Sequence, residues 1–96
     1  MPYIDPKERA VLDELTDALT HRIKTLPAAH DVEHAGRLNY VCTRLALNVF
    51  PLRKYWVMAL VCGVFINVIL EYYRKWVAPY EDKKIAENGD VYPGEQ

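Results

Sequence analysis

The stretch Tyr55–Leu70, YWVMALVCGVFINVIL, decides the fold because its sixteen residues carry no formal charge. A helix that is apolar on every side has to be covered on every side. A chain of 96 residues offers few other elements that can cover it. We therefore expect copies of the chain to cover this helix for one another, and we expect the protein to work as a homo-oligomer.

A lipid bilayer is the competing environment for this stretch, and about 20 apolar residues are needed to span one. The uncharged stretch is shorter than that, and Glu71, Arg74 and Lys75 follow it directly. Its centre also carries Gly63 and the polar amide of Asn67. These features disfavour insertion, so we expect no membrane partner.

The composition is that of a single globular domain, with 51% apolar and 26% charged residues. Cys42 and Cys62 lie in apolar patterns and form no close pair, which favours buried thiols in a reducing compartment over a disulfide. The opening residues 1–5 lack the basic start and apolar core of a signal peptide, so we expect a cytoplasmic protein. A net charge of −1 lacks the basic excess of a non-specific nucleic-acid binder, and we expect no nucleic-acid partner.

The charge is unevenly distributed along the chain. Residues 1–34 hold four basic and seven acidic side chains, residues 35–80 hold six and one, and residues 81–96 hold two and five. The basic middle can be a set of solvated helix faces that pair with the acidic ends. The functional interpretation is a set of contacts to anions such as phosphates.

Local signals predict an all-α fold. Asp5 as N-cap and Pro6 at the first helical position start the first helix, which Pro27 ends. Its apolar stripe consists of Leu12, Leu15, Leu19, Ile23 and Leu26. A second helix is predicted from about Asp31 to Phe50. Its expected inner face consists of Leu38, Val41, Cys42, Leu45 and Val49.

The third helix is predicted from about Leu52 to Ala78, where Pro79 either kinks it or starts a separate short helix. Asn88–Gly89 is a stop signal for that segment. The expected fold is a small bundle of three main helices plus a short C-terminal helix, completed by homo-oligomerisation. Residues 1–89 form the single helical domain of this prediction, and residues 90–96 form an extended tail.

The segment His30–His34 matches the H-x-x-E-H pattern, in which two histidines bind zinc and the glutamate activates water. A five-residue match is weak, and it lies where a loop meets a helix start. Asp31 and Glu33 also suit the first turn of any helix, because acidic side chains there favour the helix dipole. We therefore predict no metal ligand, no cofactor and no catalytic residue here.

Two groups of polar and aromatic residues are candidate ligand contacts. On the second helix, Asn39 and Tyr40 lie four residues before Thr43 and Arg44, facing away from the apolar stripe. After the uncharged stretch, aromatic residues alternate with cations, so that stacking surfaces and anion-binding groups are interleaved. The predicted ligand-binding residues are Asn39, Tyr40, Arg44, Tyr73, Arg74, Tyr80 and Lys84. The alternative is an aromatic cluster at a subunit interface.

These residues also carry a resemblance. The segments LNYVCTRL, at residues 38–45, and EYYRKWVAPYEDKKIAENGDVY, at residues 71–92, together with the opening MPYI, resemble short proteins of unknown function encoded by tailed phages and prophages. The resemblance covers most of the chain and implies provenance, with no activity or catalytic residue to transfer. The uncharged stretch is more apolar than in the proteins that the chain resembles.

Phage provenance implies a location in the cytoplasm of a host cell, where small oligomeric phage proteins sequester nucleotide signals of host immunity. This analogy rests on size, assembly and provenance. The leading hypothesis is a homo-oligomer that binds and sequesters a small nucleotide of cyclic dinucleotide or cyclic ADP-ribose type, without catalysis. Arg44 and Arg74 are assigned to phosphates, Tyr40, Tyr73 and Tyr80 to the base, and Asn39 to a polar edge.

The alternative function is protein interaction, in which the chain docks a host or phage protein through its C-terminal helix and tail, residues 80–96. An enzyme acting on a nucleotide is a third hypothesis. It ranks last because His21, His30, His34 and Glu71 show no catalytic spacing.

Overall fold

The computed structural model describes residues 2–94 and is all-helical, with no strand among those residues. Helix α1 runs over Pro6–Thr25, α2 over Asp31–Val49 and α3 over Tyr55–Tyr72. A π-helical turn over Tyr73–Val77 leads into α4, Ala78–Asn88. The last two residues of the predicted tail, residues 95 and 96, lie outside the described part. The all-α prediction is confirmed.

Helix α1 begins as its sequence predicts. The Asp5 carboxylate accepts a hydrogen bond from the Lys7 backbone N–H at 2.8 Å, and Pro6 occupies the first helical position. The helix ends at Thr25, just before Leu26 and Pro27, because proline cannot continue the hydrogen-bond pattern of the helix. The predicted cap and stop are both confirmed.

The third helix and the predicted short C-terminal helix form one continuous helical segment of 34 residues, Tyr55–Asn88. The Ala78 N–H donates to the carbonyl oxygen of Tyr73, five residues earlier, which makes this turn wider than an α-helical one. Proline in a regular helix crowds the carbonyl group four residues before it. The wider turn directly before Pro79 lets the helix continue past the proline, so the predicted short C-terminal helix is the end of the third helix.

This long helix is apolar and long enough to cross a membrane, by length and composition alone. Its most apolar 18-residue window has a mean hydropathy of 1.8 and is 6% buried. The core helix of a soluble protein can have the same length and composition, so the expectation of no membrane partner stays a prediction.

The chain divides into two compact units, residues 2–61 and residues 62–94, which are described separately. In the first unit, α1 contacts α2, and Val57 in the first turn of α3 is 4% exposed. Val57 is the one buried side chain among the residues described. In the second unit, the π-helical turn continues directly into α4.

The predicted inner face of α2 is only partly covered within one copy. Val41 and Cys42 are half-buried, but Leu38 is 58% exposed, Leu45 54% and Val49 64%. Within one copy these three residues are therefore open, and their burial by another copy stays a prediction.

Candidate functional site

In the unit of residues 62–94, the π-helical turn and α4 bring Tyr73 to Glu81. The Tyr73 hydroxyl donates a short hydrogen bond to a carboxylate oxygen of Glu81, eight residues later. This bond and the negative charge of Glu81 raise the pKa of Tyr73 above its ordinary value of 10.0, because ionised tyrosine would lose the bond and repel the carboxylate. Tyr92 and Asp82 add smaller contributions in the same direction.

The two predicted cations of this unit are engaged with neighbouring carboxylates. Arg74 Nη2 lies 2.9 Å from Glu71 Oε2, and Lys84 Nζ lies 3.1 Å from Glu87 Oε2. Both pairs are one helical turn apart and solvent-exposed, so each contributes at most about 1 kcal/mol to stability. Pairs of this strength leave both cations open to exchange with a stronger anion such as a phosphate.

A cleft of about 390 Å³ lies between α4 and the residues that follow it. Tyr80 and Lys84, both predicted site residues, line it, and the Lys84 ammonium lies 5.6 Å from the centre of the Tyr80 ring. That distance is within the range of a cation–π contact. The other lining residues are Glu81, Ile85, Asn88, Gly89, Asp90, Val91 and Tyr92.

The turn after α4 places the tail beside the cleft. Gly89 has φ 88°, and its N–H donates to the Ile85 carbonyl at 2.8 Å. A side chain strains this positive φ, which explains glycine at the helix end. The Asp90 carboxylate then accepts from the Tyr92 N–H at 2.9 Å.

Sequence reasoning placed Asp90 and Tyr92 in the tail and missed both as cleft residues. The signal that could have found them is the Asn88–Gly89 stop followed by an Asp-x-Tyr turn.

The three predicted site residues on α2 lie in the unit of residues 2–61. The Thr43 hydroxyl donates to the backbone oxygen of Asn39 at 2.8 Å and approaches the Asn39 side-chain oxygen at 3.4 Å. This confirms the predicted neighbourhood of Asn39 and Thr43. Tyr40 is 66% exposed, and the described residues show no hydrogen bond between Tyr40 and Arg44.

The H-x-x-E-H segment forms a helix start. The Glu33 carboxylate accepts a hydrogen bond from the Ala29 N–H at 2.7 Å, which fits its interpretation as a first-turn acid. His34 Nδ1 lies 3.2 Å from Arg37 Nη1. The residues described contain no group of three or more histidine, cysteine or acidic side chains placed to hold a metal ion.

Arg37 fixes the connection between α1 and α2. Its Nη2 donates to the Pro27 carbonyl at 2.6 Å, and its Nη1 approaches the Leu26 carbonyl at 3.5 Å. The guanidinium group therefore satisfies carbonyl groups at the end of α1 that have no partner inside the helix. Arg37 thus has a structural role in this unit, in contrast to the anion contact considered for the basic middle of the chain.

Comparison with known proteins supports the resemblance at the level of the family. A family model described as a domain of unknown function, DUF6899, matches residues 1–91. No curated protein and no solved structure matches the chain. Phage provenance stays a prediction. Because the family model covers nearly the whole sequence, the chain belongs to the DUF6899 family.

Proposed function

We propose that this protein self-associates and binds a small nucleotide without chemically changing it, as a phage protein that sequesters a host immune signal would. The observation that carries the proposal is the cleft between α4 and the tail. It combines two tyrosine rings, Tyr80 and Tyr92, with the ammonium group of Lys84. A base, a ribose and a phosphate require these kinds of contact.

The size of the cleft supports a small ligand. Its volume of about 390 Å³ lies within the range of about 300–1,000 Å³ that is typical of small-molecule sites. The tyrosine rings offer stacking faces for a base. In the proposed complex, Lys84 leaves Glu87 for a phosphate, and Asp90 accepts hydrogen bonds from ribose hydroxyls or an exocyclic amine.

The remaining predicted contacts complete the proposal. Arg74 lies in the same unit, outside the cleft lining, and keeps its assignment from the sequence as a second phosphate contact. Asn39, Tyr40 and Arg44 on α2 form a second polar patch with its own exposed aromatic ring and guanidinium group. No residue is assigned a catalytic role, because sequestration requires affinity alone.

Self-association is the second part of the proposal. Large apolar side chains are exposed along α3, including Trp56 at 63%, Ile66 at 55% and Ile69 at 66%. Contiguous apolar surface of this kind is typical of protein interfaces. We expect a cytoplasmic homo-oligomer whose copies cover α3.

The test is native mass spectrometry of the purified protein, alone and with a panel of cyclic dinucleotides and ADP-ribose isomers. We expect an oligomer that retains one nucleotide per site. Lys84→Ala should weaken binding at least about tenfold, as the loss of one charge-assisted contact does. Lys75→Ala is the matched control, because Lys75 is an exposed cation outside the cleft lining. Retention of no nucleotide, or equal losses in the two variants, would contradict the proposed site.

A second candidate function is the docking of a protein partner by α4 and the tail. Its supporting observation is that Val91 is 90% exposed and Tyr92 79% exposed, directly after the helix. Exposed aromatic and β-branched side chains at such a position suit an anchor in a partner's pocket. A stoichiometric host protein recovered with the full chain, and lost with Tyr92→Ala, would favour this function over nucleotide binding.

A further inference from the structure

On α2, Leu38, Leu45 and Val49 form an exposed apolar stripe. The residues on both sides of this stripe are partly covered. Val41 on one side and Cys42 and Ala46 on the other are half-buried, while each residue of the stripe is more than half exposed. By helical periodicity the three exposed residues lie between the covered ones. The stripe is therefore a solvent-exposed apolar surface within the unit of residues 2–61.

Helix α1 has an open apolar stripe of its own in the same unit. Leu12 is 54% exposed, Leu15 73% and Leu19 38%, and these residues share one face of the helix. Since α1 contacts α2, one unit presents two open leucine stripes. An amphipathic helix gains most of its stability by burying such a stripe.

Helix α3 is able to cover such stripes, because it lacks a polar face along Tyr55–Leu70. Exposed apolar side chains begin in its first turns, with Trp56 at 63%, Met58 at 46% and Leu60 at 49%. A helix of this kind can insert into an apolar groove by any of its sides. Each copy of the chain thus carries both open leucine stripes and a helix able to cover them.

We propose that the leucine stripes of α1 and α2 in one copy bind α3 of a second copy, and that the second copy's stripes bind α3 of the first. This inference rests on the self-association in the proposed function and specifies its interface. This reciprocal arrangement has two-fold symmetry, so the dimer is closed. It buries the leucine stripes and α3 of both copies and leaves neither surface exposed to bind further copies.

Two observations favour a second copy over a lipid bilayer as the occupant. The stripe of α1 shares its helix with acidic residues, Asp13, Glu14 and Asp17, which a hydrocarbon environment excludes. Charges are also complementary between copies, since residues 1–34 carry a net charge of −3 and the basic pairs Arg53–Lys54 and Arg74–Lys75 flank the apolar part of α3. Complementary charges favour and orient such an association.

The experiment combines sedimentation velocity with isotope-filtered NMR on the full chain. Copies with ¹³C-labelled methyl groups are refolded with unlabelled copies, so that filtered NOEs report contacts between copies only. We expect NOEs from the methyl groups of Leu38 and Leu45 to aromatic protons of Trp56, which is 63% exposed in the first turn of α3. Leu47 is the internal control, because it is 43% exposed and lies opposite Leu38 on α2. Its methyl groups should show none.

A matched pair of variants gives a second readout. Leu45→Ser should raise the dissociation constant of the dimer at least about tenfold, whereas Leu47→Ser should leave it nearly unchanged. A dimer whose only intermolecular NOEs join α3 to α3, or equal effects of the two variants, would overturn the exchange and leave self-association standing. A monomer in buffer, or a protein that floats with phosphatidylcholine vesicles, would overturn both.

Discussion

The α1–α2 connection and the C-terminal arm, residues 73–94, are both fixed by polar side chains, but they differ in chemistry. At the connection, the Arg37 guanidinium binds backbone carbonyls ten and eleven residues away. In the arm, Tyr73 binds the Glu81 carboxylate eight residues away. The first contact ties the end of one helix to the next helix through backbone carbonyls, whereas the second joins two side chains within one continuous helical segment. We therefore expect the first to matter for folding and the second for the chemistry of the cleft.

The prediction with the largest expected effect tests the α1–α2 connection. Arg37→Ala should destabilise the protein by about 1.5–3 kcal/mol, because hydrogen bonds from a charged donor are among the stronger ones in proteins. Arg37→Lys should restore only part of this, since an ammonium cannot bridge two carbonyls with the planar geometry of guanidinium. Urea unfolding followed by circular dichroism at fixed protein concentration gives the difference.

Arg44→Ala is the matched control for this prediction. Arg44 lies on the same helix, and the described residues show no hydrogen bond or ion pair from its side chain. Its removal should change stability by less than about 0.5 kcal/mol. Equal losses for Arg37→Ala and Arg44→Ala would show that the connection is not what distinguishes the two regions.

The second prediction tests the backbone of the C-terminal arm. Gly89→Ala should destabilise the turn after α4 by about 1–3 kcal/mol, because φ 88° with ψ 152° is a conformation that only glycine adopts readily. The effect should be local, so amide hydrogen exchange of residues 85–92 should accelerate while that of α1 and α2 stays unchanged. Gly94→Ala, beyond the turn and without a positive φ, is the control.

Much of the fold could be predicted from the sequence because its signals are local. Asp5, Pro6 and Pro27 each act within one helical turn, and the structure places α1 between them. Pro79 shows the limit of such signals. A proline inside a helical pattern indicates a break, but a π-helical turn five residues long accommodates this one, and no short pattern distinguishes the two outcomes.

The candidate site was harder to predict because it depends on where the turn after α4 places the residues that follow the helix. Tyr80 and Lys84 were identified from their residue types, and the structure places both in one cleft. Tyr92 was missed because its position depends on the φ of Gly89 and the turn at Asp90. Periodicity identifies the apolar face at Leu38 and Leu45, but it does not show what covers that face, which is open within one copy.

The prediction with the smallest expected effect tests the hydrogen bond between Tyr73 and Glu81 in the C-terminal arm. Removal of the carboxylate in Glu81→Gln should lower the pKa of Tyr73 toward 10.0, because the negative charge that opposes ionisation is gone. NMR titration of the ¹³Cζ resonances of the tyrosines measures this directly. Tyr73→Phe assigns the resonance.

The raised pKa also sets the direction of any pH dependence. Tyr73 is neutral in the bonded form, so its contribution to stability is fully present below pH 10 and is lost as pH rises through its pKa in the folded protein. Between pH 6 and 9 the bond should therefore be insensitive to pH, and Glu81→Gln should not change the pH dependence of unfolding there. A wild-type titration of Tyr73 at or below 10 would show that water has replaced the bond. The arm would then be held by its backbone turn alone, and the contrast with the Arg37 connection would become sharper.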